Sequence, residues 1–250
     1  MRTWRDAGGN ANRRKGETGG MQRVVIIGAG GFAREALDII DAVNRVKPSY
    51  DFLGFIVDSR YAEPGALVND KPVLGGFDWL EAHREETTAI CGVGAPELRF
   101  RLVDRAKRLG VRFFSVTHPG AILTRWVSIG EGTIITAGCI LTNRIRIGNH
   151  VHVNLACTIG HDSVLEDFVT LSPGVHVSGN VSLLEGCNAG TGANIIERKT
   201  VGAWSILGAG TTVTSDVPPD STVVGVPGKV IRVRAGGWHR EGGNGGTVEP

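Results

Sequence analysis

Residues 147–171 read IGNHVH-VNLACT-IGHDSV-LEDFVT-L, and the spacing of their aliphatic side chains decides the fold. Ile147, Val153, Ile159, Leu165 and Leu171 recur every sixth residue, and Val151, Cys157 and Ser163 stand four places after the aliphatic of their hexads. The frame extends without insertion from Ile129 to Val213. Fourteen of its fifteen first positions are Ile, Leu or Val, the exception being Ala189. The fifth position is small or β-branched in nearly every hexad, Lys199 being the clearest departure, and glycine fills the second position at 130, 148, 160, 190, 202 and 208. Each hexad therefore predicts a short strand and a turn with one large and one small side chain inward. Stacking lets each coil bury its neighbour's face. Three sides per turn give coils of 18 residues, five complete ones, and Leu123 carries the frame upstream. Cys139, Cys157 and Cys187 occupy the small inward position and are expected to be core filler.

Outward from the array, Gln22–Ile27 is a β-branched run ending in Gly28-Ala29-Gly30-Gly31-Phe32-Ala33, followed by Ala36, Leu37, Ile40 and Val43 at helical spacing. Strand, glycine turn and helix give the GxGxxA pattern a context, since a helix N-terminus offers free N–H groups to an anion. Gly28, Gly30, Gly31 and Phe32 are thus candidates to bind a phosphate-bearing ligand, or form a turn that merely packs helix on strand. Further strands are predicted over Phe52–Val57, Thr88–Val93 and Val111–Val116, with a helix over Glu97–Leu109, which together imply a small parallel sheet. Asp58, at a strand end, either bonds a ribose or base or is simply solvated. The unit spans about Met21 to Val116 and lacks the second half that a dinucleotide usually requires. A mononucleotide is expected rather than NAD.

Composition sets the outer limits. Of 250 residues, 41% are hydrophobic and 21% charged, enough for a sizeable core. Lys+Arg 27 against Asp+Glu 25 leaves a net charge of +2, which argues against nucleic acid or an anionic membrane as partner. Glycine, at 37, reads as many tight turns. No apolar run approaches the ~18 residues of a spanning helix. Four cysteines without a CxxC pair fit a reducing cytoplasm. Residues 1–20 have no apolar segment for a signal peptide and are read as a disordered extension, as are residues 235–250 as a tail. The expected organisation is a Rossmann-like domain over 21–116 and a β-helix over 117–234.

The order of these motifs resembles the bacterial sialic acid O-acetyltransferase and nucleotide-amino-sugar N-acetyltransferase family, over about Met21 to Val233. The resemblance implies an α/β half-fold followed by a left-handed parallel β-helix, a homotrimer, and acetyl-CoA as donor. It also implies a general base at a histidine followed by an acidic residue, here His161-Asp162. The residues agree on direction, because the third and fourth positions of a hexad lie outside the inward register. An exposed imidazole beside a carboxylate suits proton abstraction, or it is a solvated turn histidine. Carried over by position, acetyl-CoA is expected to pass Gly179 and Asn180, then Gly190 and Thr191. Its nucleotide end is expected near Gly208, Ala209 and the Gly225–Lys229 segment, where Lys229 meets a phosphate. Asn154 matches a position the family keeps polar and is expected to help shape the acceptor site.

This chain also departs from the family. Phe32 and Thr170 stand where some relatives have histidine, which bears on the acceptor more than the donor. His150, His152 and His176 are expected at the surface or a subunit boundary, and His118 at the domain junction as a structural residue. The implied reaction is direct acetyl transfer from acetyl-CoA to the amino group of a nucleotide-linked amino sugar, in cell-surface glycan or natural-product sugar biosynthesis. A sialic acid or other sugar O-acetyltransferase is the alternative, and a sugar-nucleotide-binding scaffold the non-enzymatic one. A zinc carbonic anhydrase on the same coil would need a histidine pair at a spacing that none of the intervals here reproduces. These are 2 (150 to 152), 9 (152 to 161) and 15 (161 to 176), so no metal is expected.

Overall fold

The structure, a computed structural model, describes residues 20–240. Residues 1–19 of the expected extension over 1–20 and the last ten residues of the expected tail lie outside the described residues. The N-terminal unit runs β1 (Gln22–Ile27), α1 (Gly31–Val46), β2 (Tyr50–Ile56), β3 (Leu67–Val68), β4 (Lys71–Gly75), α2 (Phe77–Ala82), β5 (Thr88–Cys91), α3 (Pro96–Arg108) and β6 (Arg112–Phe113). Sheet order is β3-β4-β2-β1-β5-β6, parallel except for the β3–β4 hairpin, whose turn residues Asn69 and Asp70 both have positive φ. From β1 the chain crosses to β2 on one side, while β5 lies on the other. Strand order therefore reverses between β1 and β5, and the crevice at their carboxyl ends is where open α/β sheets bind ligands.

Where the sequence suggests one strand over Val111–Val116, the chain makes two elements. Arg112–Phe113 closes the α/β sheet, while Val116–Thr117 pairs with Ile134–Ile135 and opens the first coil. From there the partner of residue i is residue i+18 on all three faces. Examples are Ile134 with His152, Ile140 with Ile122 and Thr158, and Ile147 with Leu165. The first face carries Val116–Thr117, Ile134–Ile135, His152–Val153, Thr170–Leu171, Asn188–Ala189 and Ile206–Leu207. The second carries Ile122–Leu123 through Thr158–Ile159 to Thr212–Val213, and the third Val127–Ile129 through Val164–Leu165 to Thr200–Val201. The first and fifth hexad positions form the inner core, including Cys139, Cys157 and Cys187 at 0% exposure. Each buried aliphatic contributes ~1.5–3 kcal/mol. Inward hydroxyls are satisfied between coils: Thr133 donates to the Gly148 carbonyl and accepts from Val151 N–H, and Ser163 treats Ser178 and Val181 likewise.

The fourth position of every hexad from Gly132 to Gly210 has positive φ. Glycine is the cheapest residue there. Between the third and first faces, however, this column reads Gly132, His150, Phe168, Gly186, Trp204, and its three large rings are all buried. They pack under the α/β domain: His150 stacks on Phe168 at 5.2 Å and meets Phe113 edge-on at 4.7 Å, while Phe100 of α3 meets Phe168 and Trp204. The two glycines make room for these rings. A Cβ on Gly132 would lie 2.1 Å from His150, and one on Gly186 2.2 Å from Trp204.

The coil stack ends when the offset shortens. Leu207 pairs with Val223, 16 residues on, and Lys229–Val233 caps the face antiparallel to Ser221–Val224. Residues 235–240 do not follow the expectation of a disordered tail. They fold back so that His239, 5% exposed, stacks on Trp204 at 3.7 Å and 4°, and Arg101 of α3 donates to the His239 carbonyl. Aromatic area at Trp238 and His239 outweighs the glycine-rich surroundings.

Candidate functional site

His161 and Asp162 occupy the corner between the second and third faces. Asp162 takes the left-handed conformation of its hexad position (φ 60°), and its Oδ2 lies 2.8 Å from His161 Nδ1. A carboxylate only accepts, so Nδ1 carries the proton and Nε2 keeps its lone pair. The side chains are 62% and 40% exposed, respectively. One coil on, Asn180 N–H donates to the His161 carbonyl, and a Cβ built on Gly179 would lie 2.8 Å from Nε2 and Cε1 of His161. Glycine at 179 thus leaves the ring edge free, with peptide backbone against it.

The other candidates assemble on the next corner, between the first and second faces. Gly210 N–H donates to the Thr191 carbonyl, and the backbones of Gly190 and Ala209 touch across the coils. Gly228 N–H donates to Thr212, which brings the Gly225–Lys229 segment over the same end. Asn154 lies lower on this corner, its side chain accepting from Leu155 N–H. Within one chain, then, the strip expected to pass Gly179 through Ala209 is two columns: His161, Asp162, Gly179 and Asn180 on one corner, Asn154, Gly190, Thr191, Gly208 and Ala209 on the other.

At the switch-point crevice, Gly28 requires glycine: its φ is 97° and a Cβ would meet Val93 at 3.0 Å. A Cβ on Gly30 would have nothing within 4 Å, and Gly30 caps α1 without a side-chain hydrogen bond. The space beside Gly30 at the N-terminus of α1 is therefore open, and the first turn holds no acidic residue. Asp58 accepts three hydrogen bonds from Arg60, two from the guanidinium (2.9 and 3.1 Å) and one from the backbone N–H (3.1 Å), and these bonds hold its carboxyl down to about 2. It stands at the crevice rim as an exposed ion pair. Phe32 turns toward the coil, its ring centroid 4.6 Å from that of His152.

His150 and His152 are not at the surface. Both are buried beneath the α/β domain, because outward positions on the first face (His152) and at the corner leading into it (His150) are interior once that domain docks. Burial, with Lys107 and Arg99 nearby, pushes the His150 imidazole down to about 3, and burial lowers His152 as well. His176 is exposed and bonds Thr158 Oγ1 at 2.8 Å, and His118 Nδ1 accepts from Gly120 N–H in its turn. Thr170 is buried and bonded to Arg99, a residue the sequence reading passed over. Its signal was Pro96, Arg99, Val103 and Ala106 on one helical face, all buried. Among the described residues, no three His, Cys, Asp or Glu side chains converge as a metal-binding group.

An α/β domain ahead of a left-handed parallel β-helix, with an outward histidine–carboxylate pair on a coil corner, defines a hexapeptide-repeat acyltransferase, and the chain belongs to that family. Residues 23–106 match the PglD N-terminal domain. The acetyltransferase domain of PglB from Neisseria gonorrhoeae FA1090 is 30% identical with a TM-score of 0.77, over 84% of this chain and 100% of that one. PerB from Caulobacter crescentus, solved in complex with CoA and GDP-perosamine, is 30% identical with a TM-score of 0.76, over 84% and 98%. GDP-perosamine N-acetyltransferase of Escherichia coli O157:H7 is 28% identical across 213 residues, 83% of this chain and 95% of the relative.

Proposed function

We propose that this protein transfers the acetyl group of acetyl-CoA to the amino group of a nucleotide-linked amino sugar. The observation that carries the reading is the His161–Asp162 pair, with Nε2 outward beside the Gly179 turn. As the sugar nitrogen attacks the thioester carbon, its proton passes to His161 Nε2. The C–N bond forms and the C–S bond breaks, and the imidazolium returns the proton to the departing thiolate. Asp162 holds the ring and stabilises its charged form. The Gly179 N–H is assigned to the oxyanion. On the donor side, Gly179, Asn180, Gly190, Thr191, Gly208 and Ala209 present backbone to the pantetheine arm, and Lys229 a cation to a phosphate. On the acceptor side, Gly28, Gly30, Gly31 and Phe32 form the phosphate turn, Asp58 meets the nucleoside, and Asn154 shapes the sugar site.

His161, Asp162, Gly179 and Asn180 lie on one corner of the chain and Asn154, Gly190, Thr191, Gly208 and Ala209 on another, so a second copy is needed to bring the two columns together. Exposed apolar side chains on the second face and its flanking turns, Ile122 (62%), Ile140 (41%), Trp126 (44%) and Leu155 (44%), support such packing. The assembly is read as a homotrimer. Four free thiols suit a reducing compartment, and the reaction is placed in the cytoplasm. The test is thiol release from acetyl-CoA with GDP-perosamine, UDP-linked amino sugars and free sialic acid. Turnover confined to nucleotide amino sugars supports the reading, and turnover of sialic acid alone overturns it.

A further inference from the structure

Arg99 has no solvent exposure, and its hydrogen-bond partners are all uncharged groups drawn from both domains. Nη1 donates to the Val93 and Gly94 carbonyls at 2.9 and 2.8 Å, and to His152 Nδ1 at 3.0 Å. Nη2 donates to the Phe168 carbonyl (2.8 Å), Thr170 Oγ1 (2.7 Å) and, more weakly, the Val169 carbonyl (3.4 Å). Nε donates to the His150 carbonyl at 2.9 Å. His150 and Phe168 are the left-handed turn residues of successive coils, so one planar fork grips two coils at once.

Val93 and Gly94 follow β5 and form the far wall of the crevice at the strand-order reversal. The near wall is the turn at Gly28, against which Val93 packs, and that turn leads to Phe32, whose ring rests on His152. His152 in turn takes its hydrogen bond from Arg99. A single guanidinium therefore holds one wall directly and the other through His152 and Phe32, and anchors both to the coil. Thr170 completes the link by donating to the Gly94 carbonyl at 3.2 Å. We infer that Arg99 is a positioning residue for the acceptor: it sets the crevice at a fixed place on the β-helix, and so fixes where the substrate's reacting group is delivered. Lysine, a point charge with no fork, cannot reproduce the span.

The inference rests on the acetyl-transfer reading, and its test separates the two. Full-length Arg99→Met, Arg99→Lys and the milder Thr170→Val are compared with wild type, using GDP-perosamine and acetyl-CoA. Arg99→Met is expected to raise acceptor KM by about ten- to hundredfold, since small misplacements carry such factors, with acetyl-CoA KM within about twofold. Arg99→Lys and Thr170→Val should fall between. Acceptor KM unchanged in all three, or losses that only track the folded fraction by circular dichroism, overturns the proposal. Hydrogen exchange gives a readout independent of turnover. Segments 28–32 and 92–95 should exchange faster in Arg99→Met or Thr170→Val while the second and third faces keep their protection, and unchanged exchange there also overturns it. A wild type that acetylates no nucleotide amino sugar sinks the acetyl-transfer reading, and exchange then decides the positional claim alone.

Discussion

Oδ2 of Asp162 sits 2.8 Å from Nδ1 of His161, although the two residues are adjacent in sequence, because the left-handed backbone at 162 turns the carboxylate back on its neighbour. Replacing His161 by Ala is expected to lower kcat by about 10²–10⁴, the usual worth of a general base. Asp162→Gly keeps the backbone conformation and removes only the carboxylate. Its kcat should fall about ten- to hundredfold with melting temperature nearly unchanged. Steady-state kinetics beside a thermal melt distinguish that outcome from simple unfolding.

Two glycines with the same backbone angle should answer differently to alanine. Gly192 (φ 69°) has nothing within 4 Å of a built Cβ, so Gly192→Ala meets only the conformational cost, about 1 kcal/mol. At Gly186 (φ 67°) a Cβ would also strike the Trp204 ring, which raises the expected cost to about 2–4 kcal/mol. Urea unfolding of the two variants in parallel checks the difference. Equal midpoints would remove the claim that this column is fitted around its rings.

Acid should loosen the domain interface. His150 is held at about 3 by burial, far below its unfolded value of 6.5. The unfolded chain therefore binds the extra proton, and stability falls as pH drops from about 6.5 toward 3, with a slope of at most about 1.4 kcal/mol per pH unit for each such histidine. His152 is lowered in the same direction. His150→Phe keeps a ring against Phe113 and Phe168 but cannot titrate. It should flatten the dependence, as read from urea midpoints at pH 7.5, 6 and 5.

Deleting residues 236–250 removes Trp238 and His239. Burial of the His239 ring against Trp204 and its carbonyl bond to Arg101 tie α3 to the coil, so the truncation should lower stability by about 2–3 kcal/mol. A differential scan that leaves the melting temperature unmoved would show that the fold-back carries no load.

The coil was legible because its rule is local: first and fifth positions point inward at every hexad from Ile129 onward. The same rule could not tell what lies outside. His150 and His152 are outward by register yet interior in fact, since the residues covering them are encoded far back in the chain, Phe113 lying 37 residues before His150 and Phe32 120 residues before His152. Arg99 was hidden by its setting, a helix that also holds Arg101, Arg105, Lys107 and Arg108. Its place on the Val103–Ala106 face was the one clue. His161 stood out because its third hexad position points away from the core, and its side chain is 62% exposed. How the His161–Asn180 column meets the Gly190–Ala209 column was out of reach, since one chain places them on separate corners.

The rings that receive the α/β domain occupy a single column, at 150, 168 and 204, and each step along that column is one coil. Moving the seat of the switch-point crevice relative to His161 thus proceeds in whole rungs of about 4.8 Å, the spacing between paired strands. Distance between the crevice and the His161 imidazole is in this sense quantised. A relative adapted to a longer or shorter substrate would relocate its aromatic steps by eighteen residues rather than slide the domain by degrees.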